Sequence, residues 1–127
     1  MRFKEPHMQA QYLSRPAKLL EACRYFAELS EELGIEPVVT RVTDKVPGES
    51  GVHPAGRAVD FRDEVGGSRL YTDEQASSIV NAINSKFPRD DGKLTCIHHS
   101  FNGGPLHFHI QIAFYQLTKA EVGNVSA

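Results

Sequence analysis

The segment Leu106-His107-Phe108-His109-Ile110-Gln111-Ile112-Ala113-Phe114 constrains this chain more than any other. Phe108, Ile110, Ile112 and Phe114 fall on one parity, and His107, His109 and Gln111 on the other. A period of two belongs to a strand, because successive side chains leave a pleated backbone on opposite faces. The apolar parity has to meet a core, while the polar parity has to stay open. The chain must therefore contain a sheet that is covered on one side and carries imidazoles on the other.

The rest of the sequence supplies the cover and the neighbouring strands. Ser14-Arg15-Pro16 reads as the start of a helix, with Ser14 as N-cap, a stripe of Leu19, Leu20, Cys23, Phe26, Ala27 and Leu33, and a stop at Gly34. Thr72-Asp73-Glu74-Gln75 is a capping-box pattern opening a second helix through Ala76, Ile79, Val80, Ile83 and Phe87 to Pro88. Short β-branched or alternating runs predict strands over Pro37–Thr43, Gly56–Arg62 and Leu94–His99, with a loop at Pro47–Gly51 and a turn at Asp90-Asp91-Gly92. The leader around His7 is expected to be flexible, and the polar tail from Thr118 to fray. This order predicts an α+β fold, a mainly antiparallel sheet with helices on one face and a cleft on the other, as a single domain over residues 1–127.

Composition narrows the function classes. A formal charge of -2 gives no footprint for nucleic acid, and 40% hydrophobic with 24% charged residues is the balance of a water-soluble globular domain. A chain of 127 residues has room for its own core without a disulfide or a metal, and Cys23 on an apolar helix stripe is expected as a buried thiol. The charged start Met1-Arg2-Phe3-Lys4-Glu5 does not have the apolar core of a signal peptide, and no run is long enough to span a bilayer. The expectation is a monomer, made in the cytoplasm without membrane insertion, that reaches any outside substrate by a separate route.

The chemistry concentrates in two places. In His53-Pro54-Ala55-Gly56-Arg57-Ala58-Val59-Asp60 an imidazole leaves a loop and a carboxylate follows on a strand, with only Gly56 and Ala58 sharing the Asp60 face. The His-x-His of the last strand supplies further imidazole. Two imidazoles with one carboxylate form a borderline donor set suited to Zn2+, and three protein ligands leave the fourth position for water, as in catalytic zinc sites. On the strand Leu94–His99, His98 shares a parity with Cys96, so His99 is the candidate for the open face. Gln111, one step beyond His109 on the ligand parity, is a candidate for a contact behind the ligands or to substrate.

His-x-x-Gly-x-Ala-x-Asp at His53–Asp60, followed by the closing His107-x-His109, resembles the zinc peptidases that include D-alanyl-D-alanine carboxypeptidases and dipeptidases, phage L-alanyl-D-glutamate endolysins and the hedgehog signalling domain. The likeness runs from about Val38 to Ile112. It implies zinc held by His53, Asp60 and His109, with His107 as a catalytic group beside the metal and Arg41 on the preceding strand meeting a scissile carbonyl or substrate carboxylate. The acidic base that many members carry three residues before the last ligand is Leu106 here, which draws the chain toward the penicillin-insensitive and lysostaphin-like endopeptidases. The serine often found two residues before the first ligand is Gly51, with Ser50 one place earlier. The implied activity is hydrolysis of a peptide bond in bacterial peptidoglycan. The alternative is a non-catalytic, zinc-binding structural or binding module, such as a phage particle component. A His-metal nuclease around Cys96-Ile97-His98-His99 and a cupin-like enzyme are weaker rivals, the first for want of a basic surface, the second for want of downstream ligands.

Overall fold

A computed structural model describes residues 1–43, 53 and 55–125, without the side chains of 124 and 125. The loop expected at Pro47–Gly51, with Ser50 and Gly51, lies outside the described residues.

The chain forms an α+β fold around a five-stranded sheet. The strands are β1 (Arg2–Phe3), β2 (Val38–Arg41), β3 (Ala58–Arg62), β6 (Cys96–His99) and β7 (His107–Gln111), in the order β1-β2-β3-β7-β6. The β1–β2 pair is parallel and the remaining three pairs are antiparallel, so the sheet is mixed. A small hairpin, β4 (Glu64–Val65) with β5 (Ser68–Arg69), follows β3. The helices are α1 (His7–Leu13), α2 (Ala17–Glu32), α3 (Asp73–Lys86) and α4 (Lys119–Val125).

The expected parities are seen in the sheet. Val59, Phe61, Cys96, Phe108 and Ile110 are buried in one core with Leu19, Cys23 and Phe26 of α2 and Ala76, Ile79 and Ile83 of α3. Phe26 is the hub, its ring 4.4 Å from Phe61 and 4.9 Å from Phe108, distances at which tilted aromatic pairs attract. Cys23 and Cys96 are both buried free thiols. α3 opens with the predicted capping box, Thr72 and Gln75 exchanging side-chain and backbone bonds. α2 ends in a Schellman motif: Gly34, at φ +75°, lets the Ile35 amide reach back to the Ser30 carbonyl.

Several expectations are corrected. Ser14 does not open α2 but closes α1, bonding back to Ala10; α2 starts behind Pro16 with no side-chain cap. His7 begins α1, and that helix buries Met8 and Tyr12, a pair too short a signal for periodicity to register. Leu33 is 43% exposed because the helix has already ended there. The last strand stops at Gln111, so Ile112 is buried while Phe114 turns outward in a short 3-10 turn. Lys119–Val125 of the tail is helical, and Glu121 accepts from the Thr118 amide with one oxygen and from the Ala17 amide at the start of α2 with the other. No helix among the described residues is long and apolar enough to cross a membrane.

Candidate metal centre

β3 and β7 run antiparallel in a register that sets Asp60 directly opposite His109 and Arg62 opposite His107. Their open faces therefore meet in a row of polar side chains. His53 enters from the turn before β3, where Gly56, at φ +76°, donates its amide to the His53 carbonyl. All three of His53, Asp60 and His109 are buried.

The donor atoms converge. His53 Nε2 lies 3.2 Å from His109 Nδ1 and 3.2 Å from Asp60 Oδ1, and His109 Nδ1 lies 2.9 Å from the same oxygen. A tetrahedral ion with ligands at about 2.0–2.1 Å needs donors about 3.3 Å apart, so this triangle is close to one face of such a shell. The outer edge of each ring fixes its tautomer. His53 Nδ1 donates to the Val42 carbonyl at 3.0 Å. His109 Nε2 donates at 3.0 Å to Gln111 Oε1, whose orientation is set because Gln111 Nε2 donates to the Leu94 carbonyl. With both protons turned outward, two lone pairs and a carboxylate oxygen face one point, and only a cation satisfies all three. The group is able to hold a metal ion.

Asp60 is held as the anion such a site needs. Burial pushes its carboxyl up, but when a proton takes the cation's place on an inward nitrogen of His109 or His53, the hydrogen bond and charge it brings outweigh burial and hold the carboxyl well below the usual carboxylate range. Its second oxygen accepts from Arg41 Nε at 3.1 Å. Arg41 reaches it through an irregularity in β2: Val39 pairs with Phe61, yet Arg41 pairs with Asp60, a shift that places two residues of β2 against one step of β3.

No protein-family model, curated protein or solved structure matches the chain.

The other predicted site residues fall around this triangle. His107 Nδ1 donates to the Pro105 carbonyl at 3.0 Å, which in the neutral ring leaves Nε2 as the lone-pair nitrogen; that atom is buried, has no hydrogen-bond partner among the described residues, and lies 3.7 Å from Asp60 Oδ2. His99 sits across from His107 on β6, with ring centroids 4.7 Å apart, and 5.8 Å from His109. Burial and the neighbouring imidazoles push its pKa down, favouring the neutral ring. His98 faces the helices instead, against Phe108 and within 2.7 Å of Asp63 Oδ2.

In the sequence Asp63 is one acid among many, with no local pattern to mark it. It is fully buried and binds Arg69, His98 and the amides of Leu70 and Tyr71. Burial raises its carboxyl, but those bonds outweigh it and leave the pKa lowered. Beside the centre lies an open cleft of about 510 Å³ whose walls include Arg41, Asp60, Arg62 and His107. Arg62 had a signal in the sequence, since it continues the parity of Ala58 and Asp60.

Proposed function

We propose that this chain is a zinc metallopeptidase that hydrolyses a peptide bond of bacterial peptidoglycan, in the superfamily its motifs resemble. The observation that carries the reading is the convergence of His53, Asp60 and His109 at the edge of a cleft lined by His107, whose Nε2 has no hydrogen-bond partner among the described residues. Zinc fits two imidazoles and a carboxylate better than the harder cations, which prefer oxygen. Bound there, it supplies Lewis-acid polarisation of a carbonyl and a lowered pKa for water.

The chain's own groups account for the rest. The Pro105 carbonyl keeps the His107 proton on Nδ1, so Nε2 is free to accept a proton and pass it to the leaving amine. Arg41 sets positive charge at the cleft wall, where negative charge develops on the carbonyl oxygen, and steadies Asp60 through its second oxygen. Gln111 and the Val42 carbonyl hold the two ligand rings in the tautomers that metal binding requires.

The test is zymography on purified peptidoglycan with and without chelator, beside metal analysis of the protein. Clearing that chelator abolishes and Zn2+ restores supports the reading. Zinc-loaded protein that clears no peptidoglycan would transfer the same centre to the non-catalytic module.

A further inference from the structure

The cleft wall carries more positive charge than the proposed reaction uses. Lys4, Arg41 and Arg62 line it, against the acids Asp60 and Glu64. Both acids are engaged, Asp60 by Arg41 and the two ligand imidazoles, Glu64 by the Leu106 amide at 3.0 Å. Arg62 is half-buried and stands opposite His107 in the β3–β7 pairing. Lys4 is exposed and follows β1, fixed to the sheet through its own amide on the Val39 carbonyl. Among the described residues, neither Lys4 nor Arg62 has a carboxylate partner. The cleft also has apolar walls from Val65, Phe101 and Leu106. With Arg41 paired to Asp60, Lys4 and Arg62 outnumber the remaining acid, Glu64, and a net positive charge between low-dielectric walls focuses its field on whatever enters.

We infer that Lys4 and Arg62 form a carboxylate subsite, so that the substrate is a peptide bearing a free carboxylate on the part that extends past His107, away from the metal ligands. This rests on the hydrolase reading for the identity of the peptide, but the subsite itself is a binding property. A carboxylate paired with a guanidinium forms charge-assisted hydrogen bonds that a carboxamide of the same shape does not. Such a carboxylate comes either from a side group of the peptide or from its chain end.

The test uses the full-length protein and three forms of one peptidoglycan stem pentapeptide: the γ-D-glutamyl carboxylate free with the C-terminus amidated, the reverse, and both amidated. Binding is measured by titration calorimetry in the cold, and turnover is followed separately by mass spectrometry. At least one mono-carboxylate peptide should bind about tenfold more tightly than the doubly amidated one, and the advantage should shrink with added salt. Which one does so identifies the source of the carboxylate. In the double variant Lys4→Gln/Arg62→Gln that advantage should vanish while zinc content and thermal midpoint stay as in wild type. Equal binding of all three peptides overturns the subsite, as does an advantage that survives in the double variant. Carboxylate-selective binding without any cleavage keeps the subsite and defeats the hydrolase reading; cleavage of all three peptides at equal efficiency does the opposite.

Discussion

His53 Nε2 stands 3.2 Å from His109 Nδ1, although 56 residues separate the two rings in the chain. Each ring gives its proton to an acceptor on its far side, Val42 for His53 and Gln111 for His109. The pair is thereby set to offer lone pairs toward the same point as the Asp60 carboxylate. Removing any one of the three leaves two donors, too few to hold a divalent ion against water. Wild type should carry one metal ion per chain, and His53→Ala, Asp60→Ala and His109→Ala should each lose most of it. Elemental analysis after dialysis measures this, and full occupancy in any one variant removes that residue from the ligand set.

Gln111 makes no direct approach to the ion site, yet it holds His109 in the required tautomer. Gln111→Ala should weaken metal affinity by about 10- to 100-fold, the usual cost of losing a partner behind a ligand. Competition with a chromophoric chelator reads the affinity directly. Unchanged affinity would mean that β7 alone orients the ring.

His107 differs from His109 in what its nitrogens touch. Its inward nitrogen is 3.7 Å from Asp60 Oδ2 and lies outside the convergent triangle. His107→Ala should keep near-normal metal while losing about 100-fold or more in turnover, the range expected for a positioned proton-transfer group. Loss of metal in His107→Ala together with its retention in His109→Ala would reverse the two roles.

The aromatic core around Phe26 lies on the opposite face of the sheet from the metal centre, so folding and metal binding have separate sources. Chelated protein should stay folded at room temperature with a lower thermal midpoint, because an ion that binds only the native state stabilises it by mass action. Circular dichroism with and without chelator checks this, and complete unfolding would make the ion structural. Phe26→Ala, in contrast, should cost about 3–5 kcal/mol whether or not metal is present.

Asp63 gives the fold an acid-sensitive joint. Its folded carboxyl titrates below the unfolded value near 3.9. The stability it contributes is therefore complete above that value and is lost as pH falls through the lowered folded pKa. Asp63→Asn should destabilise by about 3 kcal/mol at neutral pH, because Arg69 and His98 lose the carboxylate they share. The gap between wild type and variant should narrow as denaturant titrations are taken below about pH 4. A constant gap would show that Asp63 acts through its shape rather than its charge.

By itself the sequence determined what depends on local periodicity and local hydrogen bonds. The parity of Phe108 and Ile110 against His107 and His109, the parity of Val59 and Phe61 against Asp60, and the Thr72 capping box all follow from neighbours within a few residues, and all appear in the fold. Tertiary structure decided whatever requires two segments to meet. A strict period of two would put Arg41 on the core face with Val39; the shifted β2–β3 pairing turns it to Asp60 instead. The strand parity alone leaves His107 and His109 equivalent, and only the β3–β7 register, which sets His109 opposite Asp60, distinguishes them. The burial of Met8 and Tyr12 and the place of Lys4 at the cleft likewise depend on a two-residue strand joining the far edge of the sheet. Such pairings are fixed by the packing of the whole sheet against α2 and α3, and no window of sequence contains that information.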